Sequence, residues 1–236
     1  AAVAVWLLPI QTFSKTAHQK HIASVPKFLK KLNEGYQFIR TNSNVLSPLL
    51  LLVFSQIILS VLLVLSPALV VKILKIDLLD IGVRLILPIG FGGVFGMAAT
   101  VKLLHYVRKI RLISIGFFLS SISLFLLVLA VPYFSLGFKT FGEVLLGFLS
   151  GFAFSLFTLP TQTLLQEKTP NNLRGRVFGV LGFMITLASV FPVLFSATIG
   201  EFLGEIWMIL ILASVIFIAG FISLKGDNVI FRFNRS

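Results

Sequence analysis

The chain contains no cysteine, and only 8 of its 236 residues are acidic. The absence of thiols excludes disulfides, thiolate metal sites and cysteine nucleophiles. The 3 histidines, His18, His21 and His105, are scattered. There is no HExxH run, no paired carboxylates within an apolar stretch and no Ser–His set inside one, so a membrane-embedded enzyme lacks its constellation. There is no GxxxxGK phosphate loop either, so an ATP-driven exporter would need a separate ATPase subunit. No cofactor and no metal are expected. Charge itself is scarce: 12% of residues are charged, against about 25% in soluble domains.

What is present is apolar. Hydrophobic residues make up 57% of the chain, 25 of them phenylalanine, and the mean hydropathy is +1.03. A water-soluble core cannot hide that much apolar surface. Six stretches, at about 49–71, 82–104, 112–133, 142–165, 177–199 and 206–224, reach the ~20 residues a helix needs to cross a bilayer. They lack period-two alternation, which excludes barrel strands and leaves helices. The expected fold class is therefore an all-α membrane protein, a six-transmembrane-helix bundle.

Residues 1–10, AAVAVWLLPI, are apolar but too short to span, and no basic region precedes them. They are expected to be the end of a truncated preceding transmembrane helix. Residues 11–48 form a polar segment in which Val25, Phe28, Leu29, Leu32, Tyr36 and Ile39 recur at helical spacing among lysines. That pattern predicts an amphipathic helix on the membrane surface, either coupling two halves of a transporter or serving only as a solvated connector. Residues 49–224 are the six-helix domain and 225–236 a tail.

The formal charge of +12 is distributed by side. Lys15, Lys20, Lys27, Lys30, Lys31, Arg40, Lys102, Arg108, Lys109, Arg111, Lys168, Arg174, Arg176, Lys225, Arg232 and Arg235 fall on one side of the six spans, with three acids. Lys72, Lys75, Arg84 and Lys139 fall on the other, with five. The positive-inside rule assigns the first side, and both termini, to the cytoplasm. The basic excess is read as topology and contact with a lipid bilayer, not as a nucleic-acid surface.

The spans differ in texture. Those at 112–133 and 206–224 are nearly uniform, while the others carry small or polar stripes. Gly147, Gly151, Ser155, Thr158 and Gln162 share one helix face, as do Gly182, Thr186, Ser189 and Ser196. Gly92 and Gly96 form a small-xxx-small pair that lets backbones approach. Two decorated spans followed by a plain one, twice over, suggests a three-plus-three repeat. Gln56, Ser60, Thr158, Gln162 and Thr186 are candidates for a substrate cavity, because an amide deep in a span usually faces a bundle interior or a wet space. The alternative for the amides is interhelical hydrogen bonding, worth ~0.6 kcal/mol on average.

The connector LLQEKTPNNLRGRVFG, residues 164–179, joins two spans through a turn at Thr169-Pro170-Asn171-Asn172. Lys168, Arg174 and Arg176 lie near the negative end of the preceding helix, and Gly175 leaves room for a neighbouring backbone. Glu167 can pair with either arginine or sit at the start of the next helix. Glu167, Arg174, Gly175 and Arg176 are thus candidates for a cytoplasmic gate, with plain topology and headgroup contact as the alternative.

The run Gln162-Thr163-Leu164-Leu165-Gln166-Glu167, then Pro170 and Leu173-Arg174-Gly175-Arg176-Val177-Phe178-Gly179, resembles the connector between the tenth and eleventh helices of the major facilitator superfamily, closest to its macrolide-efflux and siderophore-exporter-like branch. Glu34-Gly35-Tyr36-Gln37-Phe38-Ile39-Arg40 and Asn42 resemble the segment leading into that family's seventh helix. The connection VKLLHYVRKIRL departs from the family: no acid precedes its basic run, and His105 lies there instead. The resemblance implies helices seven to twelve of a secondary transporter in a prokaryotic inner membrane, completed by an N-terminal half. It also implies proton-coupled efflux of a small-molecule substrate, to which the hydroxyl, amide and phenylalanine lining suggests an amphipathic character. No carboxylate lies in the middle of the six spans, so a coupling acid is expected in the other half. Another six-span transporter subunit, or a channel, is the alternative.

Overall fold

A computed structural model describes residues 34–77 and 79–230, with side-chain surroundings for these except 43, 136, 191–203 and 225–230. The expectations for residues 1–10, for 11–33 and for the last six residues of the tail lie outside the described residues.

A helical segment at 34–41 leads through Asn42 into α1 (Ser43–Ala68). There follow α2 (Leu87–Leu103), α3 (Lys109–Leu129), α4 (Leu136–Lys168), α5 (Arg174–Leu203) and α6 (Glu205–Ile230). Among the described residues, five stretches are long and apolar enough to cross a membrane: Asn44–Ile73, Gly82–Leu103, Lys109–Tyr133, Gly137–Lys168 and Glu205–Leu224. The sixth long helix, α5, has 30 residues, about 45 Å at 1.5 Å per residue. The chain is an all-α helical membrane bundle. Helix α1 begins at Ser43 and α6 continues to Ile230, so both overrun the apolar cores that marked them in the sequence.

Helix ends follow local chemistry. Thr169 is extended ahead of Pro170 and stops α4. Gly204, at φ +83, supplies the left-handed residue that separates α5 from α6. Pro67 cannot donate to the Leu63 carbonyl, and Ser66 Oγ donates to it instead at 2.8 Å. Just beyond, Leu69–Ile73 widens into a π-turn, with Leu74 N–H donating to Leu69 O at 2.9 Å. A second wide turn, Gly82–Ile86, opens α2. The α1–α2 connection is thus flanked by two loosened helix ends.

Helices α2 and α4 pack most closely. A β-carbon on Gly92 would lie 2.0 Å from the Phe148 carbonyl oxygen, and one on Gly151 would lie 2.0 Å from that of Ile89. The absence of side chains there is what allows backbone contact without a hydrophobic driving force between helices. Ser155 Oγ donates to Gly93 O at 2.8 Å across the same seam. The glycine stripes of the second and fourth spans are therefore packing surfaces. Elsewhere α1 packs on α5, and α3 packs on both α4 and α6.

Candidate functional site

Two sequence-distant stretches meet at the connector end of the bundle. Thr169 is buried, and its hydroxyl donates to Leu165 O at 2.6 Å, closing the last turn of α4. The chain turns through Pro170, whose carbonyl accepts from Leu173 N–H at 3.0 Å and Arg174 N–H at 3.1 Å. Arg174 Nε donates back to Thr169 O at 3.3 Å, so this cation sits on the exposed carbonyl end of α4.

Arg176, two residues later, pairs with Glu34 on the helical segment before α1, Nη1 to Oε2 at 2.7 Å. Next to it, a β-carbon on Gly35 would lie 3.0 Å from Arg176 O and 3.1 Å from a Val180 methyl. Glycine lets the segment lie directly on α5. Beneath the contact, Ile39, Val45, Leu49, Leu165, Val177, Val180 and Leu181 form one buried apolar cluster. The segment, α1, the end of α4 and the start of α5 are thereby tied together.

Glu167 does not join the two arginines. It forms an ion pair with Lys109, the first residue of α3. The reason is geometric: α4 packs along α3, which brings the last turn of α4 beside the first turn of α3, while Arg176 faces the 34–41 segment. Sequence reasoning missed both partners. Lys109 lies 58 positions from Glu167, beyond any local pattern. Glu34 was visible only as part of the resembling segment. Gly175 has open space where a β-carbon would be; no neighbouring backbone occupies it.

The five candidate cavity residues are placed as follows. Gln56 is half-buried on α1. Ser60 is buried, and its hydroxyl donates to Gln56 O at 2.8 Å, within its own helix. The Thr158 hydroxyl on α4 is buried with no hydrogen-bond partner. Gln162 on α4 and Thr186 on α5 are exposed, and Thr186 Oγ1 donates to Gly182 O at 2.9 Å. Helix α1 packs against both α4 and α5. Three cavities in the bundle are lined by other residues. The structure thus places the five on three helices, two of them facing outward from this unit.

At the opposite end, one acid was read only as a loop-side charge. Glu143 lies within α4 with a side chain 0% exposed, and neither carboxylate oxygen has a hydrogen-bond partner. Arg84 Nη1 is 3.8 Å away, and Arg84 also pairs with Asp80 at 2.7 Å. Opposite charges near the same end of the second and fourth spans were the available signal. At the same end, Lys72, in the wide turn that follows α1, pairs with Glu205 at the start of α6.

A bundle of long apolar helices, closed by ion pairs at both ends and holding few polar groups between, defines an integral membrane protein. The family model of the Major Facilitator Superfamily matches residues 1–191, and the chain belongs to that superfamily. A stretch of 82 residues is 32% identical to an uncharacterized MFS-type transporter, YfiS, of Bacillus subtilis (strain 168). That stretch covers 35% of this chain and 20% of the relative. No solved structure matches.

Proposed function

We propose that this chain is the C-terminal half, helices seven to twelve, of a secondary active transporter that exports amphipathic small molecules by proton coupling. Its partner is the N-terminal half of the same transporter, and both sit in a prokaryotic inner membrane with the connector end in the cytoplasm. Gln56, Ser60, Thr158, Gln162 and Thr186 contribute to the substrate cavity. The outward exposure of Gln162 and Thr186 supports this, since the cavity of a two-half transporter lies between the halves. The resemblance to the macrolide-efflux and siderophore-exporter-like branch supports export.

The observation that carries the proposal is the docking of Glu34 and Gly35 on Arg176. The segment that precedes the six helices is held against the mouth of the bundle, where its movement is coupled to α4 and α5. Arg176–Glu34 and Lys109–Glu167 then act as two cytoplasmic latches, with Arg174 fixing the turn and Gly175 leaving it free to move.

Both partners of the Arg176–Glu34 pair are about two-fifths exposed, so the pair adds only ~0–1 kcal/mol to stability. Charge reversal therefore separates gating from folding. In the full-length protein, Glu34→Arg and Arg176→Glu should each lower ethidium efflux at least about fivefold at unchanged membrane level, and the double reversal should recover much of it. Unaltered efflux in both single variants would reduce the pair to a topology signal.

A further inference from the structure

A groove of about 530 Å³ opens on the outside of the bundle at the connector end. It is walled by α1, the start of α3, the end of α4, and α6. Its lining is graded. Asn44, Ser47, Lys168 and Ser223 lie at the connector end, while Leu51, Phe54, Ile113 and Val215 lie deeper. From Asn44 to Phe54 along α1 is about 15 Å at 1.5 Å per residue. That is half of a ~30 Å hydrocarbon core, the depth of one leaflet.

We propose that this groove is a binding site for one anionic glycerophospholipid, its phosphate at Lys168 Nζ and an acyl chain along Leu51, Phe54, Val215 and Ile218. Charge complementarity selects this occupant. Lys168 is exposed and makes no ion pair among the described residues, in contrast to Lys109 nearby, which is paired with Glu167. The chain's own residues 11–33 carry Lys15, Lys20, Lys27, Lys30 and Lys31 and no acid, so they bring like charge to Lys168. The graded lining matches a molecule with one charged end and one apolar end; a wholly apolar ligand would waste the polar end. A lipid held here touches four helices, including the last turn of α4, and so lies behind the Thr169–Arg176 turn.

The test uses the full-length protein, purified and stripped of lipid in detergent. It is titrated with dioleoyl phosphatidylglycerol and with dioleoyl phosphatidylcholine, and bound lipid is counted by native mass spectrometry. The anionic lipid should bind about fivefold more tightly, the equivalent of ~1 kcal/mol for one lysine near the membrane surface. Lys168→Glu should abolish that preference while leaving phosphatidylcholine binding unchanged, and Ala219→Phe, which fills the groove, should lower both. Equal binding of the two lipids to the unaltered protein, or a preference that survives Lys168→Glu, overturns the proposal. A photocrosslinker at Ile218, read in vesicles of both lipids, reports the occupant directly. Lipid adducts are expected, and adducts to residues 11–33 or to a second copy overturn it.

Discussion

Glu143 is costly where it lies. A carboxylate taken fully out of water needs a partner, and its two oxygens have no hydrogen bond; Lys139, one turn earlier on α4, and Arg84, at 3.8 Å, offset its charge. Because the side chain is 0% exposed within this unit, no outside partner reaches it without helix movement. Removing one member of a buried pair leaves an uncompensated charge and costs ~3–5 kcal/mol, whereas replacing both with apolar residues is often neutral. Arg84→Leu should therefore lower the melting temperature of the purified protein well below that of the Arg84→Leu/Glu143→Leu double variant. Identical melting of the two would show that Arg84 does not serve Glu143. At this scale the sequence was partly legible. Gln56, Thr158 and Gln162 were visible as polar residues in apolar runs, but whether each faces inward or outward depends on neighbours. Glu143 looked like a loop-side charge because its span was counted from 142, while α4 begins at Leu136. Glu167 looked like a partner for the arginines beside it because local pairs are the ones a sequence displays. Its actual partner, Lys109, is brought in by the packing of α3 on α4.

The elements were more legible than their residues, because length and apolar content decide what spans a membrane. Gly92 and Gly96 announced a close helix approach, and the structure places Gly92 against Phe148 and Gly96 against Phe152. What the pattern did not name was the facing helix, or the reciprocal role of Gly151 against Ile89. The wide turns at Leu69–Ile73 and Gly82–Ile86 were also hidden; Pro67 signals a disturbance but not its form. The α2–α4 seam gives a direct test. An added methyl at Gly92 or Gly151 meets a backbone carbonyl, which cannot rotate away, so the helices must separate. Overpacking of this kind costs ~1–3 kcal/mol. Gly182 on α5 has open space, and alanine there should change stability by no more than ~1 kcal/mol, in the favourable direction. Thermal unfolding in detergent should therefore rank Gly92→Ala and Gly151→Ala clearly below Gly182→Ala. Equal melting of all three would mean that the seam is looser than its 2.0 Å clearances.

For the molecule as a whole, the two ends carry different work. At the connector end, Arg176–Glu34 and Lys109–Glu167 link the entering segment, α3, α4 and α5. At the other end, Lys72–Glu205 links the wide turn after α1 to α6, and Arg84 bridges Asp80 and Glu143. Helices α2 and α6 are the least covered of the five described spans. Exposed Phe91, Phe95 and Met97 on α2, with Phe183 and Leu187 on α5, are apolar faces that lipid or another part of a longer protein would cover. Which of these faces turns to lipid is a property of the complete assembly, and so no single-chain pattern displays it. Orientation, by contrast, rests on charge placement alone and is open to direct measurement. The lack of cysteine makes single-cysteine variants of this region free of background from the chain itself. A membrane-impermeant maleimide added to intact cells should label Asp77→Cys and Gly137→Cys. Asn172→Cys, between the basic residues Lys168 and Arg174, should label only after permeabilisation. Labelling of Asn172→Cys in intact cells would reverse the bundle, put the Arg176–Glu34 contact on the outer face, and remove the basis for reading that contact as a cytoplasmic latch.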